Sequence, residues 1–200
     1  MHDWKSMFIF SLFFTLYVYA DSTNQTQKCK RWIIEETPLE KAILYKYPEQ
    51  VVLITSLDSN GIPNIMTAGW TMFCSANPPM VAVAIGKQRH SHNAILANKC
   101  FGYAMPDKQL EKEVLFCGTH SGRNCNKFLE TKLTPLPAKY IKAPLIGECP
   151  VNMECKLVNY YDSGSHTIFV GEILNAWCAK TNELPKRLFN LGKGNFDELP

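Results

Sequence analysis

Two stretches of the chain bring glycine, hydroxyl and basic side chains together where an apolar run gives way to a helical pattern. "GKQRHSHNAI" leaves a strand-like run at Gly86, passes Lys87 and Arg89, and enters a helix at Ser91, its expected N-cap. The free N–H groups and positive dipole end of such a helix start favour an anion. The Arg89 guanidinium adds a forked, charge-assisted contact, and the Ser91 hydroxyl another hydrogen bond. "GTHSGRNCNKF" repeats the logic: Gly118 and Gly122 permit close backbone approach, while Thr119, Ser121, Arg123 and Lys127 supply donors. Either stretch alone reads equally well as a capped helix with surface charges. Two of them point to a phosphate-bearing ligand. Neither G-x-x-x-x-G-K-[ST] nor G-x-G-x-x-G accompanies them, so neither a P-loop nor a Rossmann cofactor site is indicated.

A third stretch, "MTAGWTMFCSANPP" (66–79), places small residues, two threonines and Trp70 ahead of a proline-bearing loop. A flat heterocycle needs such a slot, with backbone donors and acceptors and an apolar or aromatic cover. Ordinary core is the alternative reading of Trp70. Other chemistries fit less well. Cys117 and Cys125, or Cys149 and Cys155, are spaced too widely for a zinc thiolate pair, and His90 and His92 splay apart on a helix. Ser121 lacks a nucleophile elbow, and Cys117 with His120 lacks a third residue to orient the histidine.

These stretches need elements to hold them. "VVLITSL" (51–57) is a continuous β-branched run ended by a turn at Asn60-Gly61, and "IPNIMTAGW" returns as its partner. "SANPP" reads as a loop, "MVAVAIG" as a central strand, and "CFGYAMP" as another strand. "DKQLEKEVLFCG" reads as a helix capped by Asp107, with Leu110, Val114 and Leu115 on its buried face, and "NKFLETK" as a short helix. After a proline-rich connection (134–150), "MECKLV" and "HTIFVGEIL" form a hairpin turning at Ser163-Gly164, and the tail packs as irregular chain. Six or more strands with short inserted helices and no βαβ rhythm describe a mainly β protein, a barrel more naturally than a doubly wound sheet.

The 200 residues carry a formal charge of only +3, with basic and acidic side chains interspersed, so a nucleic-acid partner is not expected. Residues 1–20 stand apart as a signal-like or tethering extension, whose uncharged run from Met7 to Ala20 is short for a bilayer span. The folded domain is expected within 21–200. The eight cysteines include no C-x-x-C pair and sit mostly among apolar neighbours. Buried thiols in a reducing compartment and bridges in an oxidising one both remain open.

Taken together, "KRWIIEETPLEKAILYKYPEQVVLITSLDSNGIPNIMTAGW", "SANPPMVAVAIGKQRHSHNAI", "FCGTHSGRNCNKF", "APLIGECPVNMECKLV" and "HTIFVGEIL" resemble, in the same order, the flavin reductase-like family, closest to its flavoredoxin branch. The resemblance implies an FMN-binding split β-barrel, non-covalent FMN and a homodimer with the flavin near the interface. It implies that Thr67, Ala68, Gly69, Trp70 and Thr71 line the isoalloxazine and ribityl chain. Arg89, His90 and Ser91 would meet the phosphate, and Ser121, Gly122 and Lys127 would close over it. Asn126 stands where relatives often carry Asp, so no ion pair to Lys127 is expected. The implied function is an oxidoreductase passing electrons from NAD(P)H or a redox partner protein through FMN, with no protein acid or base nominated. An electron carrier without nicotinamide turnover and a haem-binding split barrel are the alternatives. The family resemblance implies a cytoplasmic protein, and residues 1–20, acting as a signal, would imply the envelope or secretion.

Overall fold

Strand β2 is apolar in both phases of its alternation because each of its faces meets a core. Val52 and Ile54 enter a cluster with Phe101, Tyr103 and Phe169, whereas Val51 and Leu53 join Ile65, Val114, Phe128 and Leu188. The computed structural model describes residues 31–181 and 185–198. The signal-like segment 1–20 lies outside them. Two units divide the chain after Thr37. Residues 31–37 of the first are exposed chain without helix or strand.

The second unit starts with α1 (Leu39–Ala42), a 3-10 turn (Ile43–Lys46) and β1 (Glu49–Gln50). It continues with β2 (Val52–Leu57), β3 (Pro63–Ala68), β4 (Thr71–Ala76), β5 (Pro79–Gly86), α2 (His90–Asn98) and β6 (Cys100–Met105). Next come α3 (Glu111–Thr119), α4 (Lys127–Thr131), β7 (Pro135–Leu136) and β8 (Leu145–Ile146). The long strands β9 (Val151–Ser163) and β10 (His166–Cys178) and the short β11 (Phe189–Gly192) and β12 (Asn195–Asp197) complete it. Seven strands form one antiparallel sheet in the order β3-β2-β6-β9-β10-β5-β4. Its first and last strands, β3 and β4, are separated in the chain only by Gly69 and Trp70. The sheet therefore has to curl until its edges meet, yet no ladder joins those edges. The result is a split β-barrel, mainly β with short inserted helices, as the sequence leads one to expect.

Several local expectations change. The stretch 75–79 is not a loop: β4 runs to Ala76 and a tight turn at Asn77-Pro78 leads straight into β5. Strand β5 lies one place in from the sheet edge, between β10 and β4. The β9–β10 turn falls on Gly164-Ser165, one residue later than the composition suggests, with Gly164 at φ 57°. Leu115 is 43% exposed, because Val114 and Cys117 make the buried face of α3, with Leu110 just ahead of it, and Leu115 lies off that face. The proline-rich connection holds the small β7–β8 ladder. The tail is not irregular either: β11 and β12 form a hairpin, and β11 pairs with β1. Seven cysteines fall among the described residues and are free thiols, of which Cys100, Cys117, Cys149 and Cys155 are buried as small apolar side chains.

The 137–142 loop is fastened by a fully buried carboxylate. Glu154 accepts from the backbone N–H groups of Lys139 (3.1 Å) and Tyr140 (2.6 Å), from Asn175 Nδ2 (3.2 Å) and from Trp177 Nε1 (2.7 Å). Burial pushes its carboxyl up, but these donors outweigh it and hold the group below the usual carboxylate range. Because the folded-state value is depressed, the contribution is complete above the ordinary carboxylate pKa and fades as pH falls through the folded value. Glu154→Ala should cost about 2–4 kcal/mol in urea unfolding at neutral pH, since it strands several buried donors. The gap to wild type should narrow on acidification; a gap that stays constant with pH would contradict the role given to the charge.

Candidate functional site

Two cavities open on the split edge of the barrel. The first, of about 170 Å³, is walled by Asn64 and Met66 of β3, the entry to α2 at Arg89, His90 and Ser91, and the loop at Ser121, Gly122 and Arg123, with Cys117 and Lys127 behind. The second, also about 170 Å³, is walled by Thr67, Ala68, Gly69 and Trp70, by Gly86, and by Glu49 and His166. Met66 and Arg89 line both, so the two are successive compartments of one trough. A larger cavity of about 540 Å³ lies between Leu110, Leu145, Ile146 and Trp177, beside Asp107 and Glu148, and includes none of these residues.

The first compartment is built to hold negative charge. Arg89, not Ser91, occupies the N-cap position of α2, and no side chain caps the first turn. The His92 N–H already bonds Arg89 O (3.1 Å), which leaves the N–H groups of His90 and Ser91 to whatever enters the cleft. Ser91 is buried instead, and its hydroxyl accepts from Asn64 Nδ2 at 2.8 Å. The other end of that amide, Asn64 Oδ1, is buried without a hydrogen-bond partner, and such an atom is expensive unless something fills the cleft. Which amide atom faces Ser91 is an assignment, and the exchanged orientation would turn N–H groups toward an anion. Gly122 is required by proximity: a methyl group there would lie 2.9 Å from both Asn64 Cγ and His90 Cδ2.

Charge points the same way. Arg89, Arg123 and Lys127 are the ionised side chains among the lining residues, and no carboxylate joins them. Burial lowers the His90 pKa and nearby Arg123 lowers it further, with Lys127 adding to the effect against a distant Asp58. His90 therefore enters the cleft as neutral imidazole at neutral pH. Lys127 is 3% exposed, and its ammonium donates to the carbonyls of Ile65 (2.8 Å) and Cys117 (2.7 Å), which leaves one N–H for the cleft. Burial depresses its pKa. Asn126, from which no ion pair to Lys127 was expected, caps α4 by accepting from the N–H groups of Phe128 and Leu129. The positive charge of Lys127 is thus left for a ligand to balance.

The second compartment has a wall of small residues at Thr67–Gly69 and an aromatic rim. Trp70 is 50% exposed, not core, and its ring lies 4.9 Å from that of His166. Ala68, Gly69 and Trp70 line the slot, as do the backbone atoms of Thr67, whose hydroxyl is committed to Val114 O on the other side of β3. Thr71 lines a third cavity of about 180 Å³ that shares Trp70 and Ala84 with the second, and its hydroxyl is bound to Ala82 O (2.8 Å) and Tyr103 Oη (3.2 Å). Two donors suggested by the sequence point elsewhere: Thr119 bonds Leu115 O within α3, and Lys87 pairs with Asp162 at 3.4 Å. Arg123 reaches across to Gln88 O at 3.0 Å and ties the two anion-binding stretches together.

Asn64, Met66, Glu49 and His166 were not singled out from the sequence. Asn64 and Met66 had a signal: they share a face of β3 with Ala68 by period two, and an asparagine inside an apolar strand asks for a partner. Glu49 and His166 had none, since β1 and β10 reach the slot only through the folded topology.

The cleft lined by Arg89, Arg123 and Lys127 and the slot rimmed by Trp70 and His166 thus adjoin on the split barrel. The chain belongs to the flavin reductase like domain family, whose model matches residues 44–195. A protein of Archaeoglobus fulgidus described as uncharacterized is 41% identical over 133 residues, 66% of this chain and 73% of that one. The ferric-chelate reductase (NAD(P)H) of the same organism is 28% identical over 141 residues, 70% of this chain and 82% of that one. Among solved structures, the flavoredoxin of Desulfovibrio vulgaris (Miyazaki F) superposes with a TM-score of 0.71 at 24% identity, over 89% of this chain and 94% of that one.

Gly122→Ala tests the anion end directly. Forcing the loop off Asn64 and His90 should lower urea stability by about 1–3 kcal/mol, the usual cost of overpacking. An unshifted midpoint would mean that the loop is not held where it closes the cleft.

Proposed function

We propose that this protein is a flavin-dependent oxidoreductase that binds FMN non-covalently along the trough. The carrying observation is the junction at Met66 and Arg89 of a carboxylate-free cationic cleft and a flat slot. Arg89, His90, Ser91, Ser121 and Gly122 hold the phosphate, with the remaining Lys127 N–H behind it. The backbone of Thr67, Ala68 and Gly69 faces the ring, and Trp70 covers its rim. Thr71 lines the adjoining cavity beyond Trp70, held there by its bonds to Ala82 and Tyr103. The unpartnered end of the Asn64 amide fits a dianion when it presents Nδ2 to the cleft and Ser91 donates to Oδ1, and the bare Gly122 leaves room for the phosphate.

Bound FMN supplies the hydride or electron transfer, drawn from NAD(P)H or from a redox partner protein. The chain's own residues bind, orient and exclude water: the guanidinium of Arg89 draws the phosphate into the shared part of the trough, and the α2 N–H groups fix its depth. Neutral His90 offers one ring N–H donor without competing for the charge. A homodimer is part of this reading. Edge strand β4 leaves Met72 and Phe73 58% and 53% exposed next to Trp70, and pairing with a second copy would cover both beside the ring slot.

The protein as purified, or after incubation with FMN, should show flavin absorbance, and anaerobic NADH or NADPH should bleach it at a catalytic rate. Bleaching only by a protein donor or dithionite would make it an electron carrier; failure to take up FMN would reject the reading. Arg89→Ala should weaken FMN binding by about 1.5–3 kcal/mol in a fluorescence-quenching titration, the scale of a hydrogen bond to a charged group. Unchanged affinity would remove Arg89 from the phosphate. Phe73→Asp should convert a dimer into a monomer in light scattering, and a monomeric wild type would withdraw the dimer.

A further inference from the structure

One wall of the ring slot carries a carboxylate, paired with a lysine just behind the lining, that the binding of FMN does not call for. Glu49 of β1 lines the slot with Gly69, Trp70, Arg89 and His166. Its carboxylate lies so close to the Gly69 backbone that a methyl group there would come 2.9 Å from Glu49 Cδ. Lys46 Nζ donates to Glu49 Oε2 at 2.5 Å, and the same ammonium stands 5.6 Å from the Trp70 ring centroid. The two side chains are only 28% and 16% exposed, so water screens them incompletely. The carboxylate is also held from behind. Asn190 Nδ2 donates to Oε1 at 3.3 Å, and Asn190 is the residue opposite Glu49 in the β1–β11 ladder. The C-terminal hairpin thus fixes a negative charge on the slot wall, and the 3-10 turn sets a positive charge beside it.

We propose that the Lys46–Glu49 pair sets the electron affinity of the ring held in this slot, as two opposed charges that nearly cancel. The inference rests on the FMN reading above. Adding two electrons and one proton to an oxidised isoalloxazine leaves one negative charge on the ring. The Glu49 carboxylate opposes that charge and the Lys46 ammonium favours it. Removing either member unmasks the other. One charge acting through an effective dielectric of about 20 across ~12 Å changes an equilibrium about tenfold.

The test is the midpoint potential of the FMN-loaded protein, measured by anaerobic titration with dithionite against a reference dye. Glu49→Gln should favour the reduced ring about tenfold over wild type, a rise of about 30 mV for a two-electron couple. Lys46→Met should shift the ratio by a similar factor in the other direction. A pair with only a structural role would move both variants the same way, or alter FMN affinity while leaving the potential alone. Unmoved potentials, or shifts of one sign, overturn the proposal. Circular dichroism and FMN stoichiometry establish that each variant is folded and loaded; should Glu49→Gln lose FMN, the sign of the Lys46→Met shift decides. A wild type that binds no FMN overturns the function and this inference together, whereas one that binds FMN without opposite shifts overturns only the inference.

Discussion

The ammonium of Lys127 donates to carbonyl oxygens on β3 and at the C-terminal end of α3, and most of the site follows from that placement. It draws α3 onto the strand and so sets where the following loop can run. That loop then crosses close to Asn64 and His90, which only a glycine at position 122 permits. Carbonyl dipoles solvate the ammonium, but they bring no compensating charge. With Arg89 and Arg123 on the same cleft and no carboxylate lining it, the fold stores positive potential in a partly enclosed space. The depressed pKa of His90 reports burial and the same field acting on another group. An anion entering here is stabilised by charges that are already positioned, so little reorganisation is needed.

The flat end of the trough has a different origin, in sheet closure. Strands at opposite edges of a seven-stranded sheet are joined by two residues, and the seam between them exposes backbone that a continuous barrel would pair. A planar ring with polar edges suits such a seam, because it can meet backbone donors and acceptors without a dedicated side chain for each. Both compartments share Arg89 because β5 ends, and α2 begins, at the boundary between them. On the proposed reading, binding and redox tuning would be divided, with the cationic end supplying affinity and the charges on β1 and the 3-10 turn acting on the ring.

What could be read from the sequence was what is local. The Asn60-Gly61 hairpin, the helix after Arg89 and the short helix after Asn126 follow from turn chemistry and period, and the two basic, glycine-bearing stretches that meet at one cleft were found by residue type. What could not be read depends on contacts distant in the chain. The tail looked irregular because its strand partner, β1, lies some 140 residues away at Asn190↔Glu49. The hydroxyls of Thr67 and Thr119 looked available, but each serves a nearby carbonyl of α3. Leu115 looked buried because an apolar residue in a helix was read as facing the core, when Cys117 completes that face. Asn64 was missed although its strand was found, since the ring-slot stretch was taken to start at Met66.

The central claim is that the cationic cleft, and not the ring slot alone, holds the ligand. The direct measurement compares the dissociation constants of FMN and riboflavin, which share the ring and differ in the phosphate, by calorimetry at one fixed salt concentration. The account predicts that FMN binds at least about a hundredfold more tightly, or ~2.7 kcal/mol, with an advantage that shrinks as salt is raised. Equal affinity for the two, independent of salt, would contradict it.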